Sequence, residues 1–184
     1  GFQAGGNVRK PRVLWNHNNG HASIMSPDPV ELGEWNHLAV TYDADSQAIV
    51  LYVNGESKAD GTVGTTPFSV INLGQRASTK NYPFNGGLDN VAIYNRALSS
   101  EEIVQLVDEE SVNEGLLVLW DMNETTGLKL ADTSGNGHDG VCSPSSAHLD
   151  SSSSDGIDLG SNDGNVFFDG ELDEVRIWNT PRSE

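Results

Sequence analysis

In EWNHLAVTYD, Asn36, Leu38, Val40 and Tyr42 alternate with Trp35, His37, Ala39 and Thr41, the period-two pattern of a strand with two unlike faces. The polar run 43–47 then reads as a turn. AIVLYVNGE supplies a second strand from Ile49 to Val53, ending in Asn54-Gly55, the pair favoured in type I′ turns because both central residues take positive φ. The pattern predicts a meander of antiparallel strands. Further runs rich in branched and aromatic residues predict strands around 12–15, 69–73, 88–94, 116–122, 165–168 and 172–178.

One segment changes period. Ser99 followed by Glu102 fits a capping box, in which the serine accepts from the third helical amide and the glutamate reaches back to the serine amide. Ile103, Leu106 and Val107 then form one apolar stripe, predicting a helix over 100–108. After it, DEESVNEG (108–115) is acidic and poor in apolar residues and reads as a linker or boundary. The serine-rich SPSSAHLDSSSSDG (143–156) reads as a loop.

Charge narrows the range of partners. Among 184 residues, 27 acidic against 10 basic side chains give a net charge of −17, which repels phosphate backbones and anionic headgroups, so nucleic acid and membrane insertion are not expected. The surplus suits a solubilising surface or the binding of cations. Cys142 is the one cysteine in the sequence, so no disulfide closes within the chain and no thiolate metal cluster forms. GFQAGGNVRK has no apolar core of a signal peptide, and no run of about eighteen apolar residues occurs.

The phrase FNGGLDNVAIYNRALSSEEI, from Phe84, returns as FDGELDEVRIWNTPRSE from Phe168. With LGEWNHLAVTYD, LYVNGE and LGQ before it, the first copy resembles the middle and end of a laminin G-like domain over 31–103. That resemblance implies an all-β fold, an antiparallel β-sandwich jelly roll of concanavalin A-like type with one short helix. GLLVLWDMNETTGLKLADTSGNGHDGV (115–141) resembles the opening of the same family, and IDLGSNDGNVFFDGELDEVRIWNTPRSE its close again. The order is middle, end, beginning, end. Residues 1–110 thus lack an opening strand and 115–184 lack a central meander. In the family the opening and closing strands are neighbours, so the segment at Leu116 is expected beside the strand at Leu88, joining both parts into one composite sandwich. The alternative, two incomplete units, leaves long edges that invite strand exchange or a homodimer.

Few side chains suggest chemistry. Asp89 shares a strand face with Val91 and Ile93, and Asp173 with Val175 and Ile177. A carboxylate at the mouth of an apolar core must accept backbone amides, meet an arginine or bind a metal. In ADTSGNGHDG, Asp132, Ser134, Asn136 and Gly137 match the first half of a D-x-[DN]-x-[DN]-G calcium loop, but Ser143 stands where an EF-hand has its glutamate. The resemblance brings this loop near the closing strand, making Asp132, Asn136 and Asp173 the candidate Ca2+ ligands. Equally, the glycines serve a turn that needs left-handed backbone angles.

Enzymatic jelly rolls of this class mount three carboxylates on one strand face. Here Glu171 and Asp173 are followed by Val175 and Arg176, so the pattern fails and a retaining hydrolase is not expected. The five histidines form no metal-binding pair. For stacking on sugar faces, Trp15 and Tyr82 are the candidate ligand-binding rings, while Trp35, Trp120 and Trp178 occupy strand positions suited to packing. The expectation is a non-catalytic binding or adhesion module for a glycan or protein partner, calcium-stabilised, extracellular or at the cell surface. The alternatives are an accessory part of a carbohydrate-active enzyme or a structural spacer of a surface protein.

Overall fold

The computed structural model describes residues 10–17, 20–31, 33–64, 87–141 and 177–178. Within them the strands are β1 (Arg12–His17), β2 (Gly20–Met25), β3 (Trp35–Asn36), β4 (Leu38–Asp43), β5 (Ala48–Val53), β6 (Glu56–Thr62), β7 (Val91–Tyr94), β8 (Leu116–Trp120), β9 (Lys129–Leu130), β10 (Gly140–Val141) and β11 (Ile177–Trp178). One helix, α1 (Ser100–Val107), lies between β7 and β8. Every described pairing is antiparallel: β1 with β2, β4 with β5 and β5 with β6, β7 with β8, β9 with β10, and β3 with β11. The strands expected at 69–73 and 165–168 and the serine-rich loop fall outside the described residues, as does all of 172–178 except β11. Among the described residues no helix is long and apolar enough to cross a membrane.

The predicted meander forms as written. Asn54 and Gly55 take φ of 51° and 81°, the two positive angles that a type I′ turn needs to match the twist of β5 and β6. The pair β4–β5 is buried on both faces. Ala39 and Tyr52 pack with α1 and β7, while Val40, Tyr42, Ile49 and Leu51 pack with Val13 and Val63. Thr41 is buried too, which is why β4 reads as a nearly unbroken buried run rather than a strand with a wet face.

Helix α1 begins as its capping box dictates. Ser99 Oγ accepts from the Glu102 amide at 3.2 Å and Glu102 Oε2 accepts from the Ser99 amide at 2.8 Å. Glu102 also takes both terminal nitrogens of Arg96, at 2.8 and 2.5 Å. Ile103 and Leu106 face the core.

The acidic stretch 108–115 is not a loose linker. Val112 is buried against Tyr94, Leu98 and Ile103, and Tyr94 Oη donates to its carbonyl at 3.0 Å. Arg96 Nε donates to the Glu114 carbonyl at 3.1 Å and the Asn95 amide to that of Gly115 at 2.9 Å. A single apolar residue suffices to dock the segment because the sheet already offers a socket for it. Gly115 sits at φ +78°, where any other residue is strained, and a Cβ there would push on Asn95 Oδ1 at 2.8 Å.

This connection delivers β8 to β7. The register is Val91↔Trp120, Ala92↔Leu119 and Ile93↔Val118, with a bulge before Tyr94↔Leu116. The segment after the helix therefore lies beside the strand that precedes it, the neighbour relation expected from the order of the motifs. Val91, Ile93, Val118 and Trp120 lie on one buried face of the pair, and Ala92 and Tyr94 share the other with α1.

Candidate functional site

Strand β8 spends one edge on β7. Its other edge faces the loop 131–139, whose side chains take the place of a strand. The Leu119 amide donates to Asp132 Oδ1 at 3.0 Å, and the Leu119 carbonyl accepts from the Thr133 amide at 2.8 Å and from Thr133 Oγ1 at 3.2 Å. Ser134 Oγ donates to the Leu117 carbonyl at 3.1 Å. Asn136 Nδ2 donates to the carbonyls of both Leu116 and Leu117 at 3.0 Å. His138 Nδ1 lies 3.2 Å from the Leu117 carbonyl, a contact that places the proton on Nδ1 because a carbonyl only accepts.

Asp132 organises the loop. Its Oδ1 accepts from the Ser134 amide at 3.0 Å as well as from Leu119, and its Oδ2 accepts from the His138 amide at 2.8 Å. The side chain is fully shielded from solvent. Burial pushes the carboxyl up, but the amides of Leu119, Ser134 and His138 and the Ser134 side chain outweigh it and hold it below the usual carboxylate value. Gly135 and Gly137, at φ 88° and 81°, give the turn its left-handed steps. Beneath it, Trp120 Nε1 donates to the His138 carbonyl at 2.9 Å. Asp139 pairs with Lys129 at 2.5 Å and accepts from the Asp132 amide at 3.0 Å, so its carboxyl is lowered first by Lys129 and then by that amide.

Calcium asks for six to eight oxygens converging on one point. Of the expected ligands, Asp132 has its two oxygens on three amides, Asn136 turns its amide nitrogen to β8, and Asp173 lies outside the described residues. Among the described residues no group of three or more His, Cys, Asp or Glu is placed to hold a metal. The described donor set fits an edge clasp and does not by itself fit calcium. Asp89 likewise serves the backbone, accepting the Asn90 amide at 3.0 Å at the entrance to β7.

Of the candidate sugar-stacking rings, Trp15 stands within β1 opposite Ala22, in the strand expected at 12–15. Tyr82 lies outside the described residues. Trp120 is buried, and Trp178 pairs with Trp35 between β11 and β3. Sequence reasoning missed Thr133, Ser134 and His138 as partners of β8. The signal was present: short hydrogen-bonding side chains at close spacing after an apolar strand compete for backbone groups.

A family model, Laminin_G_3, described as the Concanavalin A-like lectin/glucanases superfamily, matches residues 1–104. It ends inside α1, so β8 and the clasp lie beyond it. No curated protein matches the chain. A crystal structure of an S-layer domain-containing protein (residues 221–444) from Clostridium thermocellum ATCC 27405 is similar at 24% identity and a TM-score of 0.31, over 58% of this chain and 59% of that one. The match thus spans less than two thirds of that structure, and a likeness at this TM-score carries no inference.

Proposed function

The chain belongs to the Laminin_G_3 family of the concanavalin A-like lectin/glucanases superfamily, and on that footing we propose that it is a non-catalytic binding or adhesion module acting outside the cell or at its surface. Its antiparallel strands and, among the described residues, one short helix are those of the β-sandwich jelly roll of that superfamily. The ligand is a glycan or a protein. Family membership is the observation that carries this reading.

We also propose that 1–110 and 115–184 form one composite sandwich, supported by the β7–β8 register. The clasp on β8 favours the monomer over an edge-to-edge dimer.

Calorimetry against a panel of polysaccharides, with and without calcium and chelator, tests the reading. Saturable binding with no released reducing ends is expected. Turnover of any polysaccharide overturns the non-catalytic assignment. Binding that vanishes with chelator restores calcium as a ligand-site component at Asp132, Asn136 and Asp173.

A further inference from the structure

The dipeptide Asn-Gly recurs in the sequence at 19–20, 54–55, 85–86 and 136–137, and both residues of the second and the last pair lie in well-described turns. An asparagine before glycine is open to attack by the next backbone nitrogen, because no Cβ hinders the approach to its side-chain carbonyl carbon. Asn54-Gly55 and Asn136-Gly137 stand in opposite settings.

Asn54 is tied to the ladder side of the molecule. Its amide donates to the His37 carbonyl at 2.8 Å, its Oδ1 accepts from the His37 amide at 2.8 Å, and its Nδ2 donates to Asn36 Oδ1 at 3.3 Å. Gly55 lies against α1, since a Cβ there would meet Val107 and Val104 at 3.4 and 3.5 Å. Closing a ring between these two residues would mean undoing the β5–β6 turn and lifting it from the helix. Asn136 is exposed, and a Cβ on Gly137 would meet nothing within 4 Å. Its side chain is fixed through Nδ2, which donates to the carbonyls of Leu116 and Leu117. While that nitrogen is tied to β8, the side chain does not turn onto the Gly137 nitrogen. Opening of the loop 131–139 releases it.

We propose that Asn136-Gly137 is a self-modifying site, at which opening of the clasp exposes the asparagine to deamidation and deamidation then keeps the clasp open. The Gly137 nitrogen bonds to Asn136 Cγ and gives its proton to solvent, the Cγ–Nδ2 bond breaks, and the nitrogen leaves as ammonia, closing a succinimide. Water then adds to either ring carbonyl and breaks one carbon–nitrogen bond, leaving aspartate or isoaspartate. In sum, one amide and one water become one carboxylate and one ammonium ion. The product presents carboxylate oxygens to Leu116 and Leu117 in place of N–H donors, and a carboxylate only accepts. The edge of β8 that the side chain covered is left open to other strands. The site stands whatever the module binds.

The test is to hold the full chain in mildly alkaline buffer at body temperature and follow both asparagines by peptide mass mapping. Asn136 is expected to convert about tenfold faster than Asn54 or more, because opening one loop costs less than unfolding the hairpin. Asp132→Ala loosens the loop without touching the pair and is expected to speed Asn136 by about tenfold or more. Ser134→Ala, which takes one bond from the clasp, is expected to speed it about threefold and serves if Asp132→Ala does not fold. Ile93→Ala weakens the sheet but not the loop, and is expected to change the Asn136 rate by no more than about twofold. Equal conversion of Asn54 and Asn136, no acceleration by the clasp variants, or equal acceleration by Ile93→Ala overturns the proposal. So does a converted fraction that keeps the parent's amide shifts at Leu117 and Leu119, since the clasp would then have closed again.

Discussion

The two edges of β8 are satisfied in different currencies. Toward β7 the strand exchanges backbone hydrogen bonds in an antiparallel register broken once, by the bulge before Tyr94. Toward the loop 131–139 one backbone bond, from the Thr133 amide to the Leu119 carbonyl, is joined by the side chains of Asp132, Thr133, Ser134 and Asn136, which meet the rest of its amide and carbonyls. A backbone ladder survives almost any substitution, because every residue but proline carries the same donor and acceptor. A side-chain edge does not, since each bond belongs to one residue. The ladder edge should therefore fail only through packing, and the clasped edge one bond at a time.

The largest effect is expected on the ladder side, from packing. Ile93 is 0% exposed and its register partner is Val118. Ile93→Ala removes buried methylenes and leaves a cavity, for a loss of about 3 kcal/mol in denaturant unfolding. A loss below roughly 1 kcal/mol would mean that the β7–β8 face collapses around the gap and that this edge is not the firmer one.

Next comes Asp132→Ala, which orphans the amides of Leu119, Ser134 and His138 together, at about 2 kcal/mol. The same carboxyl makes the clasp sensitive to acid. Because its folded value lies below the ordinary one, its stabilisation is present above the unfolded carboxylate value and fades as pH falls through the folded one. Glu102 follows the same sign with a wider window. Arg96 and the Ser99 amide bring it from 4.5 to about 2, so its contribution is intact above about pH 4.5 and lost toward pH 2. For a pair whose side chains are about a quarter exposed, solvent screening leaves roughly 1–2 kcal/mol of that. Stability measured between pH 6 and pH 2 should keep its Glu102 component in Asp132→Ala and its Asp132 component in Glu102→Gln. A profile unchanged by either substitution would refute both assignments.

How legible each edge was follows from the same contrast. The ladder was visible in outline, since apolar runs at 88–94 and 116–122 and the order of the motifs placed the two strands side by side. Capping at Ser99 and the turn at Asn54-Gly55 were equally readable, because their rules are local. The packing of 108–115 was not. Its composition reads as linker, and only the socket against Tyr94 and Ile103 makes Val112 a core residue. Nor was the clasp. Asp132 and Asn136 are spelled like ligands of calcium, and the spelling cannot tell an oxygen aimed at an ion from one aimed at an amide, because both uses require the same short polar residues between glycines.

That ambiguity is what the smallest prediction resolves. As a clasp donor, Asn136 gives both hydrogens of its amide nitrogen to the carbonyls of Leu116 and Leu117, so Asn136→Ala should cost about 1 kcal/mol. Asn136→Asp keeps the shape but replaces the donor with a carboxylate oxygen facing two carbonyls, so it should cost at least as much. A calcium ligand behaves oppositely, because an added charge in the coordination set tightens the ion and raises stability when calcium is supplied. Thermal unfolding of the two variants, with calcium and with chelator, separates the uses. Asn136→Asp less stable than the parent in both conditions identifies the edge clasp, and Asn136→Asp rescued by calcium would return the loop to the metal.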